Sequence, residues 1–425
     1  MTRFSSIISS LALASTVAVS SAALAQENIT FWFTDDDPNY IKKVSELVDE
    51  FEKKNPDISV EFVTTSYTQS REQLALQLSV GEGPDLAKFA DSSLIKYVLN
   101  LRPYMKDPDG YAALHGGSLE FLRDEDSPAD QIGGYVASQT LNLPFVNVTL
   151  FEQAGVPIPK KGSTLKEIVD ASVKVAKATG VDIPFTMDRS GHRFTGPAYS
   201  YGARYLAPDG SFVFPDDAAK AYIKDLYTWT QTGAFPKEMW GAAGGNRYKN
   251  MGDEFINANV VTYFAGNWMV NPFQTKIKDA FNWTVLDAPC GPGGCIPMPG
   301  TTYIAGFKRT QHPEAVAKLI EFLGSEPVQR EIAENFIIIP GANIKNINYK
   351  LDDENAKAAM TVFANNAENV TPEIRAFYKA KGANVVYDTI VQRMSQLIVG
   401  ELTLDETYER MAADVAKGNA ELKKQ

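Results

Sequence analysis

The fold is decided by the stretch Ile29-Thr-Phe-Trp-Phe33 and by the segments that follow it as far as Ala90. The opening run is rich in β-branched and aromatic residues, which is typical of a buried strand. A helical segment follows and stops at Asn55-Pro56, and its apolar face comprises Ile41, Val44, Leu47, Val48 and Phe51. The next strands are Ile58–Val63 and Asp85–Ala90, with a second helix between them. This βαβαβ order predicts an α/β fold with parallel strands.

Polar residues occupy the loops that follow these three strands. Parallel strands place such loops at one edge of the sheet, where open α/β domains bind ligands. The loops carry four candidate ligand contacts, which are Asp35, Asp36, Tyr67 and Asp91. The acidic run at 35–37 fits three interpretations: a solvated turn, a metal-binding or catalytic carboxylate group, and a set of acceptors for ligand hydroxyl groups.

The composition is that of a large acidic globular protein. The 425 residues are 44% hydrophobic and carry a formal net charge of −11. This apolar content is sufficient for a large core, and the length suggests two or three domains. Nucleic acid and anionic membrane surfaces are not expected partners, because both attract blocks of Lys and Arg and the chain has none.

The first 25 residues have the pattern of an export signal. A lone Arg3 precedes an apolar stretch at 7–19, and small residues then end at Ala23-Leu24-Ala25. The alternative is an N-terminal membrane anchor, but the segment is short and ends in a typical cleavage site. We expect cleavage after Ala25 and a soluble periplasmic protein that starts at Gln26.

The two cysteines, Cys290 and Cys295, are separated only by Gly-Pro-Gly-Gly. In an oxidising compartment this spacing predicts a disulfide. The alternatives are a pair of free thiols or half of a zinc site, although the three histidines are scattered along the chain. We expect no bound metal.

Common catalytic motifs are absent from the sequence, including G-x-S-x-G, H-E-x-x-H and the glycine-rich phosphate-binding loops. We therefore expect neither enzyme activity nor a cofactor. The alternative from another class is an exported glycoside hydrolase or polysaccharide lyase, with Asp36 and Asp91 as the candidate carboxylates.

Four segments of the chain form a set of motifs: the opening strand, Leu78-Ser-Val-Gly-Glu-Gly-Pro-Asp-Leu86, Phe264-Ala-Gly-Asn-Trp268 and Pro313–Gln329. Together they resemble the extracellular solute-binding proteins of carbohydrate importers of the ATP-binding-cassette class. The most specific motif, at 78–86, is similar to the segment before the third strand of that family, and the motif at 264–268 is similar to its Gly-x-Trp loop.

The resemblance implies a two-lobed periplasmic-binding-protein fold of type II, each lobe a mainly parallel sheet flanked by helices, with the ligand in the cleft between the lobes. It places the N-terminal lobe at 26–140 and 301–342, the C-terminal lobe at 141–300 and 343–425, and the hinges near 140–146, 297–303 and 340–346.

A sugar presents hydroxyl groups at its rim and apolar C–H faces, so its site needs polar groups and an aromatic surface. The first lobe offers the four loop residues named above. The second lobe and the hinge add Asn147, His192, Trp240, Asn246, Trp268 and Tyr303. We predict that Trp240 and Trp268 stack on pyranose rings.

The function that follows is capture of a carbohydrate by hinge closure, with delivery to the permease subunits of an inner-membrane importer. We expect a monomer. A receptor for a non-sugar solute is the alternative within the binding class.

Overall fold

The computed structural model describes residues 26–35, 37–124, 126–241 and 251–424. Its strands are β1 Glu27–Thr34, β2 Ile58–Thr65, β3 Leu86–Phe89, β4 Gly134–Asn147, β5 Ile183–Met187, β6 Val260–Gly266, β7 Trp283–Val285, β8 Cys290–Gly291, β9 Gly294–Cys295 and β10 Met298–Gly306. The first seven helices are α1 Pro38–Lys54, α2 Tyr67–Ser79, α3 Pro108–His115, α4 Val148–Ala154, α5 Leu165–Thr179, α6 Gly191–Ser200 and α7 Asp217–Thr232. The others are α8 Lys237–Gly241, α9 Gly252–Ile256, α10 Val270–Lys276, α11 Pro313–Leu323, α12 Glu326–Phe336, α13 Glu354–Asn366, α14 Pro372–Lys379, α15 Asn384–Val399 and α16 Leu404–Leu422.

The predicted βαβαβ unit is confirmed as β1, α1, β2, α2 and β3. Helix α1 begins where the sequence provides an N-cap, since the Asp37 carboxylate accepts a hydrogen bond from Asn39 N and Pro38 occupies the first turn. The helix buries Val44, Leu47, Val48 and Phe51 as expected, together with Tyr40 instead of Ile41.

The main sheet has the order β2-β1-β3-β10-β4-β6-β5, and β7 pairs with β4. The pairs β1–β2, β1–β3 and β5–β6 are parallel. The long strands β4 and β10 are antiparallel to each other and to their other neighbours. The expectation of mainly parallel pairing therefore holds at the β2-β1-β3 end, whereas β5–β6 is the one parallel pair found at the other end of the described sheet.

The buried apolar residues form separate cores on the two sides of the paired strands β4 and β10. Two clusters draw on residues within 29–137 and 303–332, and a larger cluster draws on 141–298 and 337–415. Strands β4 and β10 contribute to both sides, because Val136 and Tyr303 belong to one side while Leu143 and Met298 belong to the other. The fold is thus a mixed α/β architecture of two lobes joined by shared strands.

The predicted disulfide between Cys290 and Cys295 is confirmed, and it closes the small hairpin of β8 and β9. This hairpin lies against the end of α6. A Cβ atom at Gly293 would be 2.0 Å from the carbonyl oxygen of Tyr199, so only glycine permits the contact. Within the described ranges, no helix is both long and apolar enough to cross a membrane.

Candidate ligand-binding cleft

A cavity of about 410 Å³ lies between the two lobes. Residues within 34–35, 37–40 and 88–94 line one wall, and residues within 189–193 and 267–276 line the other. Helix α15 closes part of the cavity through Asn384, Tyr387 and Asp388, among others. The loops after β1 and β3 of the first lobe therefore face the cavity, as the βαβαβ pattern predicts.

An ion pair is buried in the first-lobe wall. The Lys88 ammonium group donates a hydrogen bond to Asp35 Oδ2, and the side chain of Lys88 is only 8% exposed. The same ammonium group lies 5.0 Å from the centre of the Phe33 ring and 5.1 Å from that of Tyr40, within cation–π range. Asp35 also accepts a bond of 2.9 Å from Asp37 N. The negative charge of Asp35 is thereby paired with the positive charge of Lys88, and the two hydrogen bonds hold the carboxylate in one orientation.

Two aspartates of the first lobe cap a helix and also contact the second lobe. Asp37 caps α1 through Oδ1, and its Oδ2 accepts a bond of 3.1 Å from Asn271 Nδ2. Asp91 caps the 3₁₀ turn at 92–97 and accepts a bond of 2.5 Å from Asn384 Nδ2. The lobes are therefore joined across the cleft at two separate points.

The second-lobe wall is organised around Asp188, the residue that follows β5. Its side chain is completely buried and accepts hydrogen bonds from Arg193 Nε at 2.8 Å and from the Tyr263 hydroxyl at 2.8 Å. Met251 N donates a third bond of 3.2 Å. The Arg193 guanidinium carbon lies 4.7 Å from the centre of the Trp268 ring.

Trp268 belongs to the loop after β6, and its half-buried indole lines the cavity. The Asn267 side chain holds this loop, since its Oδ1 accepts a bond of 3.0 Å from Leu141 N on β4. Gly266 provides space for the ring. A Cβ atom there would lie 1.7 Å from Trp268 Cζ3 and 2.3 Å from Cε3 and Cη2, which places it above the ring face.

Further polar groups line the second-lobe wall and the hinge. Arg189 is 5% exposed, and burial lowers the pKa of its guanidinium group. His192 lies within 2.9 Å of the Pro299 carbonyl oxygen through Nε2. At the hinge, Thr301 N donates a bond of 2.8 Å to the Tyr378 hydroxyl. No group of three or more His, Cys, Asp or Glu side chains suited to a metal ion is found in the described part of the chain.

Four of the ten predicted contact residues meet in the cavity: Asp35, Asp91, His192 and Trp268. Asp36 and Asn246 lie outside the described residues. Tyr67 begins α2, but its side chain is also outside the description.

For the remaining three predicted contacts, the structure places the side chains outside the cavity lining. Asn147 is 1% exposed and caps α4 by accepting a bond of 3.1 Å from Leu150 N. Trp240 is completely buried in the core of the second lobe. Tyr303 is 1% exposed, packs against Phe89, and accepts a hydrogen bond of 2.6 Å from Thr301 Oγ1 through its hydroxyl group.

Sequence reasoning also missed several lining residues. Arg189 and Arg193 follow β5 and line the cavity, and Asp188 lies behind them. Strand β5 is missing from the sequence prediction. With β5 included, the expectation that loops after parallel strands face the ligand would have indicated this segment. Asn271 and Asn384 carry no local signal of this kind. They reach the cleft only through the path of the chain between the lobes.

Residues 37–330 match the family model described as "Bacterial extracellular solute-binding protein". The chain belongs to this family. The resemblance seen in the sequence motifs is thus confirmed at the family level. A comparison with curated proteins finds no match.

Solved structures of solute-binding proteins share the fold of this family member. An ABC substrate-binding protein of Listeria monocytogenes in complex with cycloalternan is 18% identical, with a TM-score of 0.77 over 94% of this chain and 99% of that one. The GacH receptor of Streptomyces glaucescens, studied with acarbose, is 18% identical, with a TM-score of 0.74 over 93% and 99%. Maltose-bound MalE3 of T. maritima is 18% identical, with a TM-score of 0.72 over 92% and 99%. These similarities establish the two-lobed fold.

Proposed function

We propose that this solute-binding protein is the carbohydrate receptor of an ABC importer, which captures a sugar in the cleft and delivers it to the membrane permease. The observation that carries the proposal is the pairing of an indole, Trp268, with the carboxylates of Asp35 and Asp91 across one cavity. The indole offers an apolar surface for sugar C–H groups, and the carboxylates accept hydrogen bonds from hydroxyl groups.

The structural relatives support the same ligand class, because their described ligands are cycloalternan, acarbose and maltose. The cavity of about 410 Å³ lies within the range of small-molecule sites. A sugar in it touches both lobes and therefore favours the arrangement in which the lobes are closed.

A hydrolase is less well supported by the described carboxylates. Asp91 caps a 3₁₀ turn and accepts a bond from Asn384. This is the arrangement of a structural acceptor, whereas a general acid must be able to release its proton to the substrate.

The organisation proposed from the sequence accompanies this function. The signal peptide comprises residues 1–25, and the mature receptor is a periplasmic monomer that uses no cofactor. The lobes comprise 26–140 with 301–342, and 141–300 with 343–425. The separate apolar cores on the two sides of β4 and β10 support this division.

The test is a thermal-shift screen of residues 26–425 against monosaccharides, α- and β-linked disaccharides, polyols, sugar acids and non-sugar solutes. A ligand present at a hundred times its Kd adds about 2.7 kcal/mol of stability and raises the melting temperature. We expect shifts for a few related sugars, and recovery of those sugars intact after overnight incubation. A shift with a non-sugar solute alone would overturn the substrate class, and cleavage of the sugar would overturn the receptor assignment.

A further inference from the structure

The aromatic surface of the cleft is held by Arg193, which itself lines the cavity, and by Asp188, which lies behind the lining. Trp268 belongs to a short 3₁₀ turn, Asn267–Met269, which by itself does little to fix an indole. We infer that Asp188 and Arg193 are positioning residues that fix the orientation of this ring. The inference rests on the proposed function in so far as Trp268 is the surface on which a sugar packs.

Asp188 is suited to anchor the group because its position is fully determined. Its carboxylate is completely buried, and a buried carboxylate is tolerated only when it is paired and hydrogen-bonded. Tyr263 on β6 and Arg193 on α6 both donate to it at 2.8 Å. Strands β5 and β6 are parallel neighbours, and Thr186 pairs with Tyr263, so the sheet itself fixes the distance between Asp188 and the hydroxyl group.

Arg193 transmits this fixed position to the indole. Its Nε bond to Asp188 sets the plane of the guanidinium group, and the same group lies over the Trp268 ring at 4.7 Å. The side chain of Arg193 is only 8% exposed, whereas the indole of Trp268 is half-buried. Arg193 is therefore the more buried residue of this stacked pair. A lysine could not replace it, because an ammonium group is a point charge without a plane to stack.

Gly266 provides the second support. Its missing Cβ lets the six-membered ring of Trp268 lie directly against the main chain at the end of β6. The indole is therefore held by the backbone at Gly266 and by the Arg193 guanidinium. A ring ordered in this way before binding loses less conformational freedom when the sugar arrives, which favours affinity.

The decisive measurement uses ¹⁹F NMR of protein labelled with 5-fluorotryptophan. The chain has five tryptophans, so the resonance of Trp268 can be assigned from its disappearance in Trp268→Phe. We expect Arg193→Met and Arg193→Lys to shift or broaden this resonance while those of the other four tryptophans stay in place. Asp188→Asn should have the same effect, and the arginine variants test the inference even where that buried substitution lowers the yield of folded protein.

Arg204→Met is the matched control. Arg204 also stacks on an aromatic ring, with its guanidinium carbon 5.4 Å from the centre of Tyr199, but it does not belong to the cavity lining. Its removal should leave the Trp268 resonance unchanged. An unchanged Trp268 resonance in folded Arg193→Met would overturn the inference, and this arm needs no sugar, so its outcome is independent of the proposed function.

A sugar titration then separates positioning from direct contact. With maltose as the probe, we expect Arg193→Met to weaken binding at least fivefold in the wild-type background and to have no further effect in Trp268→Ala. Equal losses in both backgrounds would show that Arg193 contacts the sugar itself, which would overturn its assignment as a positioning residue. Absence of maltose binding to the wild-type protein would count against maltose as the ligand, and the NMR result alone would then decide whether Arg193 positions the indole.

Discussion

Adding a single methyl group at Gly266 should displace the aromatic surface of the cleft. The backbone of Gly266 is extended, with φ −111° and ψ 172°, a conformation that alanine adopts without strain. The substitution Gly266→Ala therefore acts only through its Cβ atom. That atom would lie 1.7 Å from Trp268 Cζ3, whereas carbon atoms in contact stay about 3.5–4.0 Å apart. The ring must consequently retreat by about 2 Å.

A displacement of this size removes the indole from its place against the sugar. We expect binding of the sugar identified by thermal shift to weaken at least tenfold, or about 1.4 kcal/mol, as measured by isothermal titration calorimetry. The melting temperature of the sugar-free protein should fall only modestly, because the indole borders a cavity into which it can turn.

Gly117→Ala provides the control for the added methyl group. Gly117 is exposed, and a Cβ atom there would meet nothing within 4 Å. This variant should bind the sugar like the wild-type protein. The reasoning about Trp268 would be refuted if Gly266→Ala also bound with unchanged affinity while its tryptophan spectrum stayed the same.

Three further predictions concern stability and lobe closure. Burial lowers the pKa of His115 to about 4, whereas in the unfolded chain its pKa is about 6.5. As the pH falls below 6.5, the unfolded state therefore binds a proton that the folded state does not, and the protein loses stability. In urea titrations, the free energy of unfolding should fall by roughly 3 kcal/mol between pH 6.5 and 4, and this decrease should be missing in His115→Gln. An equal decrease in that variant would contradict the lowered pKa of His115. Trp240→Ala should lower the free energy of unfolding by about 3–5 kcal/mol, far more than Trp268→Ala, and similar losses would contradict the burial of Trp240 in the core. Asn271→Ala removes the bond to Asp37 and should raise the mean radius of gyration of the sugar-free protein in small-angle scattering, whereas an unchanged radius would show that this bond does not hold the lobes together.

The local architecture of the first lobe can be predicted because its signals are local. The sequence pattern predicts the first strand at Ile29–Phe33, and the strand is observed at Glu27–Thr34. It predicts the third at Asp85–Ala90, and that strand is observed at Leu86–Phe89. Strand ends of a parallel sheet share one edge, so the order of the elements alone places Asp35 at the cleft.

Whether a given side chain reaches the cavity is harder to predict from the sequence than the positions of the strands. Trp240 and Trp268 look equally suited to a sugar site in the sequence, yet one is completely buried and the other lines the cavity. Tyr303 is almost completely buried, whereas its neighbour Thr302 lines the cavity, and the pairing of β10 with β4 is irregular between the two residues. Whether such a side chain is buried or lines the cavity depends on how the lobe packs, which the composition and the residue spacing do not reveal.

Contacts between distant segments are beyond prediction for a different reason. Asp91 and Asn384 are separated by 293 positions, and they meet only because the chain returns to the cleft through its C-terminal helices. The amide of Asn384 has no motif around it that indicates this path.

Asp37 and Asp91 each cap a helical turn and also accept a hydrogen bond from the other lobe, and this double role reduces the conformational entropy that is lost when the lobes close. Each carboxylate is fixed by the N-terminus of its own helical turn, so it keeps its direction whether or not the other lobe is near. The incoming asparagine therefore meets an acceptor that is already aimed, and only the asparagine side chain loses rotational freedom. The helix caps of the first lobe thus serve as prealigned docking points, and closure can proceed as the movement of two nearly rigid bodies.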